Sequence, residues 1–211
     1  IWVDPSGQNS IVVAPGANHE LRPEEVGAMR ACFRDAGFVL FQLETPLETV
    51  LEAMRAAREE GAQTILDPAP AQTLPAEMLE AADILTPNET EARRLLGEAP
   101  GRIAPGDAPQ VARALRQRGA RCVVLKLGEE GCFCMTGTAS MHVPAFRVTA
   151  CDATAAGDVF NGALAVALAE QRPLEEALRF ASAAAALSVT KPGAQASIPT
   201  RREVEEFLRV H

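Results

Sequence analysis

The stretch CDATAAGDVFNG, residues 151–162, puts an acid directly behind four small residues, where apolar positions begin to recur at helical spacing. Val159, Phe160, Leu164 and Leu168 carry that period, so Asp158 falls in the first turn of a helix. The first amides of a helix have no partner within it and point outward with partial positive charge, which makes them an anion site. Ala155, Ala156 and Gly157 would present theirs with no side chain in the way. An ionised Asp158 beside them could take a proton from a hydroxyl attacking a phosphate held there. The helix dipole alone also favours an acid at this position, by under about 1 kcal/mol.

Four other stretches could share in such chemistry. In TPNETEARRL, residues 86–95, Asn88 can cap a helix and Glu89 and Glu91 suit its positive end. Asn88 and Glu91 also follow a strand, where they could contact phosphates or the waters around Mg²⁺. Glu44, in FQLETP, sits between a strand and a helix and could bind sugar hydroxyls, although an acid there is ordinarily just an exposed loop residue. KLGEEG, residues 126–131, is a strand end passing into a turn. SVTKPGAQAS, residues 188–197, offers carbonyls and hydroxyls, the hard ligands suited to a potassium-sized cation.

The elements that must hold these residues alternate. Short β-rich pieces at 1–4 and 10–13 around Pro5-Ser6-Gly7 predict a hairpin. Helices are expected near 23–35, 46–60, 75–81, 88–96, 108–118, 157–170, 173–189 and 201–209, with Pro46 opening and Gly61 closing the second and Gly119 closing the fifth. Strands are expected at 37–42, 62–66, 83–86, 121–127, 131–136 and 139–143, the last three as a meander. This alternation predicts an α/β fold, a mostly parallel sheet with helices on both faces, in one domain over 1–211. Ligands of such sheets collect at the carboxyl ends of the strands, where FQLETP, TPNETEARRL and KLGEEG fall.

Composition narrows the function further. With 211 residues and 47% hydrophobic content the chain can bury one sizeable core. A net charge of −8 with no basic run argues against nucleic acid or an anionic membrane as partner. Only Lys126 and Lys191 are lysines, so a phosphate loop ending in Lys-Ser/Thr is absent, as is G-x-G-x-x-G. Five scattered cysteines, an odd number with no C-x-x-C pair, suit a reduced, cytoplasmic setting. Cys132 and Cys134, two apart on a strand, read as buried small hydrophobes. Three isolated histidines leave little for a zinc site or a Ser-His-Asp triad. No signal peptide or apolar run of spanning length is present in the sequence, which reads as soluble.

Taken in order, QLETP, DPAPA (67–71), TPNETE, KLGEEG, DATAAGD with FNGAL, and KPGAQAS resemble the ribokinase/PfkB family of carbohydrate kinases over essentially the whole chain. The resemblance implies a ribokinase-like fold and ATP-dependent phosphorylation of a sugar, D-ribose for preference, at its primary hydroxyl. Asp158 matches the catalytic base, and Ala155, Ala156 and Gly157 the anion hole. Glu44 matches a ribose-contacting acid. Asn88, the turn Lys126, Leu127, Gly128, Glu129, Glu130 and Gly131, and Ser182 near the adenine match ATP contacts, with Glu91 near Mg²⁺. Asp152, Thr154, Ser188, Lys191, Gly193 and Ser197 match an activating K⁺ site, Lys191 through its carbonyl alone. Residues 1–18 resemble the end of a sugar-covering β-lid. The family's Gly-Gly-Lys-Gly-Ala-Asn-like motif and sugar-gripping Asn/Asp pair are not in this sequence, so the expectation is a member with its nucleotide half present and its sugar half largely absent, the full-length form being a homodimer. Another sugar or nucleoside kinase, or a non-catalytic nucleotide-binding remnant, are the alternatives.

Overall fold

The computed structural model describes residues 2–3, 9–10 and 12–211. At the start, β1 (Trp2–Val3) pairs antiparallel with β2 (Asn9–Ser10), as a hairpin requires, with β2 beginning one residue ahead of the expected 10–13 and residues 12–13 outside it. The Pro5-Ser6-Gly7 turn expected between them lies outside the described residues.

The chain divides into two compact bodies, one made of Pro15–Leu127 with Phe133–His142. This body contains α1 (Pro23–Met29), β3 (Phe38–Phe41), α2 (Leu47–Glu59), β4 (Gln63–Leu66), α3 (Ala76–Ala81), β5 (Ile84–Leu85), α4 (Glu89–Leu96), α5 (Ala108–Gln117) and β6 (Cys122–Lys126). β7 (Cys132–Met135) and β8 (Ser140–Val143) complete its six-stranded sheet, whose spatial order follows chain order from β3 to β8. β3 to β6 are parallel, with Phe38 opposite Gln63, Ile65 opposite Ile84 and Leu85 opposite Val123. The expected α/β architecture is present. Met54, Leu66, Met78, Leu85, Leu115 and Leu125 are fully buried in one cluster. Each such side chain contributes roughly 1.5–3 kcal/mol against exposure.

The helix expected at 23–35 stops at Met29 and passes into a 3₁₀ turn at Arg30–Cys32. Val26 is its one buried residue, and Gly27 lies mid-helix, so little packing or propensity sustains more turns. Leu43 and Asp67 continue past their strands, the Leu43 amide donating to the Ala69 carbonyl (2.7 Å) and the Asp67 amide to the Phe41 carbonyl (2.8 Å).

The other body comprises the described residues up to Ala14, Gly128–Cys132 and Val143–His211. It is built on α6 (Ala156–Ala169), α7 (Leu174–Ser188) and α8 (Arg201–Val210). Ala167, Ala177, Ala181 and Ala183 are fully buried there beside Leu164 and Leu178, and small side chains let α6 and α7 approach closely. Gly131 has a φ of +90°, and a Cβ on it would fall 2.1 Å from the Val143 carbonyl, so this turn admits only glycine. Thr200 caps α8: the Glu203 amide donates to its hydroxyl (3.3 Å), while Glu203 accepts from the Thr200 amide (2.7 Å).

The Thr200 amide, helped by Lys191 at 3.0 Å and by the Thr200 hydroxyl, holds the Glu203 carboxyl down from 4.5 to about 2. A folded-state value below the unfolded one contributes stability above about pH 4.5 that is lost as pH falls toward 2. Glu203→Gln should therefore destabilise the protein at pH 7 and differ progressively less from the parent between pH 4.5 and 2, as read by urea midpoints; an equal deficit at both ends would contradict this.

Candidate functional site

In the body holding α6, Ala155 is the residue before the helix and has left-handed backbone, φ 61° and ψ 11°. Left-handed geometry costs a non-glycine residue about 1–2 kcal/mol, and it is observed at the turn where the amides must face outward. The Ala156 amide makes a long bond to the Ala153 carbonyl (3.3 Å), and the Val159 amide reaches back to Ala155 (2.9 Å). Between these closures lie Gly157 and Asp158, with Asp158 exposed in the first turn. A cleft of about 530 Å³ opens beside Asp158, lined mainly by apolar groups that include Val159, Val166, Phe180 and Ile198. Arg201, also on this cleft, is ion-paired with Glu170.

Asp152 organises the approach to that turn. Its carboxylate, in a residue only 8% exposed, accepts from the Thr154 amide (2.9 Å) and the Gly193 amide (2.7 Å). The Gly193 amide is the main cause holding the Asp152 carboxyl below its usual range, with Thr154 adding to it. The Cys151 and Asp152 amides both donate to the Val189 carbonyl (2.8 and 3.2 Å). The structure thus brings Asp152, Thr154 and Gly193 together. Ser188 and Ser197 are buried close by in sequence, with hydroxyls donating to Ala185 and Ala194 carbonyls, which leaves their lone pairs as acceptors. The Lys191 ammonium is held on Glu203 at 3.0 Å. Among the described residues no group of three or more His, Cys, Asp or Glu gathers, so a cation here would rest on one carboxylate with carbonyls and hydroxyls, a set that suits K⁺.

Ser182 is buried in α7, and its hydroxyl meets Cys132 Sγ at 4.0 Å. Burial raises the Cys132 thiol to about 11. Gly128–Glu130 forms a 3₁₀ turn.

The other body supplies residues at the carboxyl ends of parallel strands. Asn88 caps α4: the Glu91 amide donates to Asn88 Oδ1 (2.9 Å), while Glu91 accepts from the Asn88 amide (2.7 Å) and Nδ2 (2.8 Å). The two residues are a capping box before anything else. Because both Glu91 oxygens already accept hydrogen bonds, the pair fits Mg²⁺ through bridging water rather than by displacing Asn88. Lys126 pairs with Asn88 in a parallel bridge, its amide donating to the Pro87 carbonyl (2.8 Å). Its ammonium lies 2.8 Å from Asp67 Oδ2, both side chains being mostly buried. This ion pair, at the ends of β4 and β6, was not legible in the sequence, although a lysine in a chain with two is itself a signal. Glu44, after β3, is exposed, with its amide bonded to the Gln42 side chain (2.5 Å).

Among the described residues no helix is long and apolar enough to cross a membrane. The profile of the pfkB family carbohydrate kinases matches residues 1–201. The chain is 45% identical over 211 residues to a ribokinase of Haemophilus influenzae, covering 99% of this chain and 67% of that protein. The ribokinase structure from Thermotoga maritima superposes with a TM-score of 0.85 at 42% identity, over 98% of this chain and 67% of that one. An Arabidopsis thaliana ribokinase, solved with ribose and ATP, gives 0.85 at 34% identity, over 96% and 65%. The chain thus spans about two thirds of the length of these relatives, and it is similar to them in sequence and in fold over nearly all of its own. With a ribokinase-like α/β fold and a profile match running from its first residue to Arg201, the chain belongs to the pfkB family of carbohydrate kinases.

Proposed function

We propose that the protein transfers the γ-phosphoryl group of ATP to the primary hydroxyl of D-ribose, giving ribose 5-phosphate and ADP. The observation that carries this reading is Asp158, exposed in the first turn of α6 directly behind the left-handed Ala155 turn. Support comes from the Arabidopsis relative that was solved with ribose and ATP.

In this reading Asp158 accepts the proton of the attacking hydroxyl, and the turn at Ala155, Ala156 and Gly157 meets the phosphoryl oxygens with amides. The Ala156 amide has only a 3.3 Å bond to Ala153 to give up. Catalysis of phosphoryl transfer is mostly positioning and charge stabilisation, and this chain brings few cations to it. Mg²⁺, when bound, would neutralise charge on the phosphates, with Asn88 and Glu91 holding its waters. Lys126, Leu127 and the Gly128–Gly131 turn would contact ATP, and Glu44 the ribose. Ser182 would lie near the adenine as a packing residue, since its hydroxyl faces Cys132. A K⁺ ion held by Asp152, Thr154, Ser188, Gly193, Ser197 and the Lys191 carbonyl would add positive charge to the loop that Asp152 already ties to Thr154. We place the protein in the cytoplasm and the full-length form as a homodimer.

The first test is ADP release by the 211-residue chain with ATP, Mg²⁺ and K⁺, with and without ribose. Ribose-dependent release supports the proposal; ATP binding without release favours a nucleotide-binding role, which the two-thirds coverage of the relatives makes the second reading. Asp158→Asn is expected to lower kcat by about 10²–10⁴ while leaving the ATP Kd within about twofold; unchanged turnover would remove Asp158 as the base. Exchanging K⁺ for Na⁺ should reduce turnover severalfold, and an indifferent rate would dismiss the loop 188–197 as a cation site.

A further inference from the structure

The proposed reaction makes no use of the cysteines, yet two of them face each other across the sheet. Cys122 opens β6, Cys134 lies within β7, and their sulfurs are 3.8 Å apart on neighbouring strands. The chain that joins them is short, 12 residues from one to the other. Cys134 is fully buried, whereas Cys122 is half-buried at the strand's first residue and can be reached from outside. A disulfide bond is about 2.0 Å long and needs Cβ atoms about 3.5–4.5 Å apart, a separation that opposed residues on adjacent strands come close to.

We propose that Cys122 and Cys134 are a redox-responsive dithiol, oxidised to an intrachain disulfide by small disulfides of the glutathione type. Cys122 gives its proton to water and its thiolate attacks one sulfur of oxidised glutathione, whose S–S bond breaks, and the first glutathione leaves as a thiolate that picks up a proton from water. Cys134 then gives its proton to water, and its sulfur attacks that of Cys122 and expels the second glutathione as a thiolate, which is protonated in turn. Two protein thiols are oxidised and one glutathione disulfide is reduced to two thiols, so the exchange balances with no other oxidant.

The surroundings assign the roles. The hydrogen bond with Cys134 holds the Cys122 thiol below its ordinary range; burial opposes this, and the Arg116 guanidinium at the end of α5 adds to it. Cys122 is therefore the attacking and solvent-reachable member, and Cys134 needs only to reach its neighbour. Cys132, two residues from Cys134, differs: its thiol is raised to about 11 and lies against Ser182. It is not a partner in the exchange.

The test is peptide mapping of the whole chain after equilibration with oxidised glutathione, alkylation and trypsin digestion without reductant. Cleavage after Arg121, Lys126 and Arg147 puts Cys122 on peptide 122–126 and Cys134 on 127–147. The expected product is these two peptides joined, in Cys132→Ser lighter by two hydrogens than their sum, and in the unsubstituted chain lighter by two hydrogens and heavier by one alkyl group, on Cys132. In Cys134→Ala the joined species should vanish and peptide 122–126 should carry glutathione instead. The proposal fails if the folded unsubstituted chain yields peptide 122–126 mainly glutathionylated or alkylated, or if Cys132→Ser removes the joined species. Since the decisive readings need no substitution at Cys134, a misfolded Cys134→Ala chain would not protect the idea.

Discussion

A single carboxylate sets the geometry of the candidate phosphate turn. Asp152, almost wholly buried, keeps its charge because two amides, of Gly193 and Thr154, point at it. One of those amides belongs to the loop after α7 and the other to the turn before α6, so the same charge fastens both segments. The left-handed Ala155 comes one residue after Thr154, next to the segment that this carboxylate fastens, and opens α6. Removing the carboxylate would leave the buried Thr154 amide without its acceptor, a cost of roughly 1–3 kcal/mol, while the Gly193 amide, in an exposed residue, could turn to water.

At the parallel strand ends the solution is different. There the polar groups satisfy each other in pairs: Asn88 with Glu91, Asp67 with Lys126. Breaking one partner of a mostly buried ion pair strands the other, so Asp67 and Lys126 depend on each other whatever else they bind. A capping box and an ion pair thus fix the side chains before any ligand arrives, which reduces the ordering that binding must supply.

Much of this was legible in the sequence. Proline and glycine punctuation placed α2 between Pro46 and Gly61 to within about a residue, since these residues act on the local backbone. Asn88 announced its helix as a capping residue with Glu91 three positions on, whereas the matching cap at Thr200 was not read from the sequence. Asp158 was found from small residues preceding an apolar period, also a local signal. What could not be read depends on pairs distant in the chain. Asp67 and Lys126 are 59 positions apart, and the register that places Cys122 against Cys134 is set by the sheet. Ser182 entered only through the resemblance, as a position near the adenine, and tertiary packing shows its hydroxyl against Cys132. The early end of α1 had the same origin, because a helix with one buried side chain has too little to pack against.

The scarcity of lysine gives these ion pairs a practical side. Both ε-amines of the chain are engaged with carboxylates, Lys126 with only 14% of its side chain exposed and Lys191 with 43%. Acylating dyes and amine cross-linkers, which need an accessible neutral amine, would therefore meet one shielded and one accessible side-chain target. Labelled at low stoichiometry, the chain would carry its side-chain tag at Lys191, beside the loop that Asp152 fastens, which makes that amine a natural place for a fluorophore reporting on the order of that loop.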